Sequence, residues 1–402
     1  MLKAAPVLGA LAGLAAAALQ FAGALKSAPP LAALPFDITL LAALALVVLL
    51  PGLAAARRWV LAPGLAWPLL GCSALWCWWV IAASWSPWAA GAADRLPEVM
   101  LLGPLMLAAG LLVGGDPDAR PVLATAVIGL GAFVGASIAI GLATDAVVLG
   151  GEVGRDPLRV RVQYQVAGLA IACAAGLSAL RLVVAGGFAR LGWLALLGAL
   201  AAAVLLPGGR AAFLALAVVV ALVPALRLGL EGRHWTALGW LSLVAMAGAL
   251  ALAVLLADPA RAASLATLER LFRSDGDLAS ARELLWGEAW RQAGWFGLGP
   301  GGFPVTAGVG QDRGLHPHNH AIEALVEGGV MGFLCWLLAF GGGAVFALGR
   351  LGAVAPKRAG EIAALTLPLA MTAMVSTDLG NRMVWFALGL ALSLGLTARS
   401  DA

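Results

Sequence analysis

The sequence predicts an all-α, polytopic integral membrane protein. Its hydropathy, its low charge and the length of its apolar runs support this class. Of the 402 residues, 62% are hydrophobic and only 11% are charged, whereas soluble domains carry about 25% charged residues. A water-soluble fold of this size could not bury so much apolar surface. The apolar residues come in runs of roughly 20, the length that an α-helix needs to cross a bilayer.

These runs predict about twelve transmembrane helices. The first run follows Lys3 and ends near Ala22-Gly23-Ala24, a pattern that also suits a secretory signal peptide. A chain with so many spans, however, needs only a signal-anchor helix at this position. The predicted spans are residues 5–23, 37–56, 65–85, 96–114, 121–143, 163–185, 189–206, 210–228, 235–257, 320–347, 361–377 and 383–398.

One extended polar segment interrupts the spans at residues 258–319. It divides the chain into a first set of spans at 1–257, the loop itself, and a last set of spans at 320–402. A loop of this length among short joints usually has a structure or a function of its own. We therefore expect functional residues in this segment.

Helical periodicity within the loop predicts two amphipathic helices, at 260–273 and 278–293. Gly276 separates them, and the glycine-rich run Gly297–Gly302 ends the second helix and leads to the next span. Such helices could shield the helix bundle or anchor in the membrane interface. They could equally form one wall of a cleft for an amphiphilic substrate.

The basic residues place this loop on the outer side of the membrane. With the N-terminus inside, the cytoplasmic joints contain the Arg and Lys that the positive-inside rule requires. The outer joints are also rich in arginine, which is preferred over lysine for bidentate contacts with phosphate or carboxylate. We therefore predict an anion-binding cavity on the outer face, although single arginines could pair with acidic neighbours such as Asp145 or touch lipid headgroups. These arginines include Arg95, Arg155, Arg159, Arg161, Arg210 and Arg382.

Three of the four histidines lie within five residues, at the end of the loop. They are His316, His318 and His320, with Asn319 among them. A neutral imidazole can accept a proton at physiological pH. The residues alone leave three roles open: a metal site, the cap of a helix in which Asn319 or the histidines satisfy free N–H groups, and a catalytic base.

The residues that follow the histidines have a defined spacing. After His318 and Asn319 come nine residues, Gly329, two further residues and Gly332. On a helix that begins at the histidines, both glycines would lie where another helix can approach closely. This contact would fix the height of His318 at the outer membrane surface.

Two arginines are candidates for phosphate binding. Arg210 follows Pro207-Gly208-Gly209 and begins an apolar helix, whose N-terminus favours anions; its side chain could instead extend to the headgroups. Arg282 lies on the second loop helix, where it could also form an ordinary surface pair with Glu283 or Glu288.

Two further groups in the outer joints could bind a substrate. The first stands at the entrance of the sixth predicted span, contains the only tyrosine, and has donors and acceptors that suit a sugar or a pyrophosphate. The second flanks a Gly-Asn turn before the last span, and its two charges could simply neutralise each other. The first group is Arg159, Arg161, Tyr164 and Gln165, and the second is Asp378 and Arg382.

The sequence lacks several motifs that are typical of nucleotide-dependent or hydrolytic enzymes. It contains no Walker loop, Rossmann glycine pattern, acidic metal–sugar motif or Gly-x-Ser-x-Gly motif. ATP or nucleotide-sugar chemistry is therefore not expected, and a transferred group would arrive already activated on a lipid. The four cysteines fall inside predicted spans without metal-ligand spacing, so they predict neither disulfides nor zinc.

These residues resemble the O-antigen ligase family, within the ligase/polymerase superfamily of bacterial surface polysaccharides. The family pattern is His, then Asn, Ser or Gln, nine residues, Gly, two residues and Gly. It is met here by His318, Asn319, Gly329 and Gly332.

The resemblance extends to charged residues elsewhere in the chain. The family's arginine at the start of a mid-chain span matches Arg210, and its loop arginine matches Arg282. Asp378 corresponds loosely to an acidic residue of the last outer turn. The topology resembles the family over nearly the whole chain, whereas the specific motifs cover only residues 205–215 and 280–332.

The resemblance implies a GT-C-like, inverting glycosyltransferase that needs no metal and no cofactor. It would move O-antigen from undecaprenyl pyrophosphate to lipid A–core, on the periplasmic face of the bacterial inner membrane. His318 would deprotonate the acceptor hydroxyl, and Arg210, Arg282 and Arg161 would stabilise the pyrophosphate leaving group. Its partners would be these lipids and the membrane, and not nucleic acid.

Three other functions remain open. An O-antigen polymerase would use the same donor but a second lipid-linked glycan as acceptor. A protein O-oligosaccharyltransferase tends to be longer, with an extra outer domain. A transporter or flippase would need charges near the middle of its spans, whereas the charges predicted here concentrate on the outer side.

Overall fold

The computed structural model describes residues 5–149, 159–258, 265–272, 276–312 and 314–399. It is 76% helical, which agrees with the all-α class predicted from hydropathy. The helices in chain order are α1 (Ala5–Gln20), α2 (Ala22–Leu25), α3 (Pro29–Ala32), α4 (Ile38–Ala55), α5 (Ala66–Ala82), α6 (Ala89–Pro97), α7 (Gly103–Gly115), α8 (Ala119–Ala143), α9 (Tyr164–Leu182), α10 (Gly187–Ala203), α11 (Arg210–Leu230), α12 (His234–Leu256), α13 (Ala266–Phe272), α14 (Gly276–Gln292), α15 (Gly302–Thr306), α16 (His320–Trp336), α17 (Gly342–Arg350), α18 (Pro356–Ala373) and α19 (Arg382–Leu392).

Two short strand pairs accompany the helices in the described residues. Strand β1 (Arg58–Leu61) pairs antiparallel with β4 (Leu396–Arg399). Strand β2 (Val147–Leu149) pairs in parallel with β3 (Val160–Val162). The sequence interpretation contained no strands, because segments of three or four residues give too little periodicity to be recognised.

By length and composition, eight helices in the described residues are suited to cross a membrane. Three shorter apolar helices cover further predicted spans, at Ala5–Gln20, Gly187–Ala203 and Arg382–Gly395. Helix α18 begins with charged residues, including Lys357, Arg358 and Glu361. The figure of about twelve spans therefore stays a prediction, as does the outer position of the long loop. The eight are Ile38–Ala55, Ala66–Trp85, Ala89–Gly115, Ala119–Ala143, Tyr164–Leu182, Arg210–Leu230, His234–Leu256 and His320–Ala353.

The chain forms two compact units. The first comprises Met1–Ala56, Asp116–Arg273 and Leu351–Pro368. Its central helix is α9, which is buried along most of its length and packs against α8, α10 and α11. Small residues allow this packing: a Cβ on Gly131 of α8 would lie 2.3 Å from the Cβ of Ala174.

The second unit comprises Arg57–Gly115, Ser274–Arg350 and Leu369–Ala402. Helices α7 and α19 approach each other through facing glycines. A Cβ on Gly110 would lie 2.2 Å from the carbonyl oxygen of Phe386, and one on Gly389 would lie 2.2 Å from that of Leu107. Helix α5 packs against α16 in the same unit. This unit contains His316, His318 and His320. The contiguous segments predicted at 1–257, 258–319 and 320–402 stay a prediction.

The two helices predicted in the long loop are present with different bounds. Helix α13 lies within the predicted 260–273, of which residues 260–264 and 273 lie outside the described residues. Gly276, predicted to separate the two helices, is the first described residue of α14. A glycine is tolerated at the first helical turn, where the N–H groups have no partner inside the helix.

Candidate active site

Asn319 begins helix α16 as its N-cap. Its side-chain oxygen accepts hydrogen bonds from the backbone N–H groups of Ala321 (3.0 Å) and Ile322 (3.1 Å). Its side-chain nitrogen donates to the carbonyl oxygen of Met374 (2.8 Å). The capping role considered for the cluster therefore belongs to Asn319, as N-cap preferences favour. The same side chain ties the helix to the turn between α18 and α19, residues 374–381.

His320 makes a second connection to the α18–α19 turn. It is fully buried, and its Nδ1 accepts a hydrogen bond from the indole N–H of Trp336 (3.3 Å). Because an indole can only donate, Nδ1 is unprotonated and the proton lies on Nε2. That N–H donates to the carbonyl oxygen of Asp378 (2.8 Å). Both ring nitrogens are engaged, so His320 offers none to a metal ion or a substrate.

His316 and His318 form a compact turn, which we call the His turn (residues 316–319). The backbone N–H of His318 donates to Nδ1 of His316 (3.0 Å), and the two ring centroids are 4.1 Å apart. His318 has a φ of 54°, which side chains with a Cβ rarely adopt. Such strained positions concentrate at functional sites. His318 is half-buried, and its Nδ1 is buried without a hydrogen-bond partner among the described residues.

Burial keeps both histidines of the His turn neutral. It lowers the pKa of His316 to about 3, although the negative charge of Asp378 opposes the shift. Burial also lowers the pKa of His318, and the positive charge of Arg282 adds to this effect while Asp378 opposes it. A neutral imidazole at physiological pH is the form that can accept a proton.

Helix α14 brings Arg282 to the His turn. One helical turn further along the same face, the indole N–H of Trp286 donates to the carbonyl oxygen of Pro317 (2.7 Å). This bond joins the helix bearing Arg282 to the turn bearing His318. Glu288, a partner considered for Arg282, instead forms an ion pair with Arg291 (2.5 Å).

Gly329 interrupts helix α16 with φ 68° and ψ −173°. The segment 294–299 inserts its backbone at this interruption. The N–H of Leu298 donates to Val326, that of Gly299 donates to Glu327, and that of Val330 donates to Gly294 (3.0, 2.8 and 3.0 Å). These bonds replace helical bonds that the interruption removes.

The two glycines of the sequence pattern therefore have different structural roles. A Cβ on Gly329 would lie 2.4 Å from both Gly297 N and Trp295 O. The predicted approach of a helix at Gly329 was wrong, since a loop approaches there. At Gly332 the prediction was right, because a Cβ would lie 3.1 Å from the ring of Trp78 on α5.

The glycine turn, residues 297–302, has the conformation expected of its sequence. Gly297, Gly299 and Gly301 have φ values of 70°, 82° and 72°, which glycine adopts readily. The carboxylate of Glu327 accepts a hydrogen bond from the N–H of Gly301 (2.9 Å). The indole N–H of Trp85 donates to the carbonyl oxygen of Gly297 (3.1 Å).

Arg95 is a buried residue that the sequence interpretation placed in an outer joint. It lies in α6, is 2% exposed, and hydrogen-bonds the carboxylate of Glu323. Its guanidinium also lies 3.5 Å from Glu327 and 4.0 Å from Asp378. Glu323 and Glu327, four residues apart in a predicted apolar helix, were a signal that this interpretation missed, since buried carboxylates need a cation.

Arg210 lies in the first unit, where it is the exposed first residue of α11. The turn before it is fixed by Thr267 of the loop helix α13. The N–H of Gly208 donates to the Thr267 hydroxyl (3.1 Å), which donates to the carbonyl oxygen of Val204 (3.1 Å). The loop therefore has a defined contact with the segment that presents Arg210.

The other candidates in the first unit have mixed environments. Arg159 forms an ion pair with Asp145, the ordinary role considered for it. Arg161 is exposed on β3, and Tyr164 and Gln165 are half-buried at the start of α9. Arg155 lies outside the described residues.

Asp378 and Arg382 lie in the second unit, together with His318, Arg282 and Asn319. The carboxylate of Asp378 faces Arg95, and its charge acts on both histidines of the His turn. Arg382 is half-buried at the start of α19. The structure thus places five predicted site residues in this unit.

The fold and the site define a multi-pass membrane protein in which a neutral histidine lies near an arginine-bearing loop helix. Residues 194–337 match a family model described as O-Antigen ligase. This match supports membership of the O-antigen ligase superfamily and confirms the resemblance found in the sequence. The matched region includes Arg210, Arg282, His318 and Asn319. No curated protein matches the chain.

Proposed function

We propose that this protein is an O-antigen ligase. It transfers polysaccharide from undecaprenyl pyrophosphate to a sugar hydroxyl of lipid A–core, in the periplasmic leaflet of the bacterial inner membrane. The observation that carries the proposal is the strained, neutral His318, within the family-matched region and close enough to Arg282 for its charge to lower the histidine pKa. Membership of the superfamily supports lipid-linked glycans as substrates.

The reaction is an inverting displacement at the anomeric carbon. The acceptor hydroxyl gives its proton to His318 as its oxygen forms the new glycosidic bond. The bond between the anomeric carbon and the phosphate oxygen breaks, and its electron pair leaves with undecaprenyl pyrophosphate. Arg282 and Arg210 stabilise the negative charge that develops on this leaving group, with Arg161 as a further contact. These cations take the part that a metal plays in other phosphate chemistry.

Several further neutral and charged groups would bind the substrates. Arg159, Arg161, Tyr164 and Gln165 supply donors and acceptors suited to a pyrophosphate or a sugar. Asp378 and Arg382 do so in the other unit, and Asn319 holds the His turn on α16. Asp378 also opposes the charge of Arg282 at His318, so that the base keeps some affinity for the proton.

Purified protein in nanodiscs, with lipid-linked glycan and lipid A–core, tests the proposal directly. Chelator is present and ATP is absent, and we expect the joined product. His318→Ala removes this product, whereas His234→Ala, an exposed histidine at the start of α12, leaves it unchanged. If the His318→Ala protein still forms the joined product, His318 is not the catalytic base.

Three other outcomes would identify a different function or a different mechanism. Lengthening of the glycan without attachment to the core would identify a polymerase, which has the same donor. A joined product that forms only when chelator is left out would mean that a metal, and not the arginines, stabilises the leaving group. In proteoliposomes, movement of lipid-linked glycan across the bilayer without formation of the joined product would identify a transporter.

Membrane sidedness has its own test. Val309 is 39% exposed between the glycine turn and the His turn. In a variant whose native cysteines are replaced, Val309→Cys should react with a membrane-impermeant maleimide added to the periplasmic side of intact inner membranes. Labelling only from the cytoplasmic side would reverse the proposed orientation.

A further inference from the structure

A buried cluster of one arginine and three carboxylates lies beside the His turn. It consists of Arg95, Glu323, Glu327 and Asp378, and we call it the Arg95 cluster. Arg95, Glu323 and Glu327 have side chains that are at most 3% exposed. Isolated buried charges are strongly unfavourable, so the partners depend on one another.

Two carboxylates of the cluster are also connected to different backbone segments of the site. Glu327 accepts the N–H of Gly301 in the glycine turn (2.9 Å). Glu323 accepts the N–H of Leu379 in the α18–α19 turn (2.9 Å). Asp378 belongs to that turn, and its carbonyl oxygen accepts a hydrogen bond from the ring N–H of His320. One guanidinium therefore lies among the residues that hold both turns to α16.

The geometry points to Arg95 as a positioning residue for the His turn, acting by holding Glu323, Glu327 and Asp378 in place. This inference rests on the proposed function, because the His turn bears the proposed base. Without the arginine, three carboxylates would face one another with no cation in the cluster. Mutual repulsion and desolvation would then displace them or cause them to bind protons. The backbone bonds to Gly301 and Leu379 would weaken together.

Four variants test this role. Arg95→Gln removes the charge, and Arg95→Lys keeps the charge but not the forked geometry. Arg95→Gln combined with Glu323→Gln removes one carboxylate as well, which reduces the repulsion. Arg120→Gln is the matched control, because Arg120 pairs with Glu361 (3.3 Å) in the first unit.

Hydrogen exchange of the whole protein in nanodiscs, without substrates, gives the activity-independent measurement. In Arg95→Gln we expect exchange at least about tenfold faster in peptides covering 299–303 and 376–380, as loss of one hydrogen bond to a charged group implies. Arg95→Lys should lie between this variant and the wild type. Arg120→Gln should leave both peptides unchanged.

If Arg95→Gln does not fold, the double variant Arg95→Gln/Glu323→Gln is used to test the role of Arg95. It retains the Glu327 carboxylate at Gly301 but replaces the Glu323 carboxylate at Leu379. Exchange should therefore increase in the 376–380 peptide more than in the 299–303 peptide. Unchanged exchange in both peptides, or equal changes in Arg120→Gln, would overturn the role of Arg95.

The pH profile of joining separates positioning from a general loss of stability. His318 faces Arg282 on α14, Asp378 on the α18–α19 turn, and His316. His316 faces Asp378, Arg95, His318 and His320. With Arg95 neutral, Asp378 either keeps its charge with no cation to oppose it or binds a proton, so the acid limb of kcat/KM should move to higher pH in the first case and to lower pH in the second. Partial unfolding would scale the rate equally at every pH, and that result would count against positioning.

The exchange measurement and the activity measurement test the positioning role and the ligase function separately. Faster exchange in Arg95→Gln, with no joining by the wild type under any condition, would reject the ligase function and retain the structural connection. Normal joining and a normal pH profile in Arg95→Gln would reject the positioning role and retain the ligase function.

Discussion

Replacing Gly329 by alanine should disconnect the glycine turn from helix α16. Gly329 has φ 68° and ψ −173°, a region that is essentially confined to glycine. An added Cβ would also lie 2.4 Å from Gly297 N and 2.4 Å from Trp295 O. Both contacts are with backbone atoms, so no side-chain rotation can relieve them. The loop or the helix must move.

The size of the effect follows from strain and from lost hydrogen bonds. Holding a residue with a Cβ in this region costs about 1–3 kcal/mol. Three backbone hydrogen bonds join segment 294–299 to the interruption, each contributing about 0.5–1.5 kcal/mol. If the segment separates, the total destabilisation is roughly 3–7 kcal/mol. That is a large part of the stability of a typical domain, about 5–15 kcal/mol.

Thermal unfolding in detergent and the joining assay measure this prediction. Gly329→Ala should lower Tm clearly and lower kcat more than KM, because the glycine turn supports the site. Gly239→Ala in α12 is the matched control, since a Cβ there meets no atom within 4 Å. It should leave both quantities near wild type. A Gly329→Ala protein with the Tm and kcat of the wild type would refute the reasoning about the interruption.

Two further predictions concern the His turn. Because the pKa of His318 is lowered from its ordinary value of 6.5, the base stays neutral at pH 6.5, and the acid limb of kcat/KM should lie below that pH. Arg282→Gln should move the limb upward, and an unchanged limb would contradict the contribution of Arg282. Trp286→Phe removes the bond to Pro317 and should lower kcat about fivefold, the effect of ~1 kcal/mol. Trp290→Phe, 62% exposed on the same helix, should have no such effect, and equal losses in both variants would contradict the link.

Local signals in the sequence predicted the features that depend on neighbouring residues. Apolar runs located the helices, because each helix buries or exposes a continuous apolar surface. The glycines of Gly297–Gly302 predicted a turn, and three of them do have positive φ in the structure. Asn319 before an apolar helix suggested a cap, and its side chain does accept the first free N–H groups.

Contacts between residues far apart in the sequence could not be predicted from such local signals. Arg95 and Glu323 are 228 positions apart, and no periodicity links them. The spacing to Gly329 was recognised, but it does not reveal whether a helix or a loop approaches. Trp286 donates to a carbonyl oxygen of the His turn, a contact that depends on tertiary structure and has no local signal in the sequence. Candidate site residues could be proposed from the sequence, whereas the contacts that support them could not.

Combining Gly329→Ala with Arg95→Gln tests whether both changes act on one structural element. Gly329→Ala releases segment 294–299 from α16, and Arg95→Gln weakens the bond from Gly301 to Glu327. Both bonds hold the glycine turn, so either change frees part of what the other would free. The loss of stability in the double variant should therefore be smaller than the sum of the single losses. Gly329→Ala combined with Arg120→Gln, whose ion pair lies in the other unit, should be additive. Additive losses in both combinations would mean that the Arg95 cluster and the interruption at Gly329 support the His turn separately.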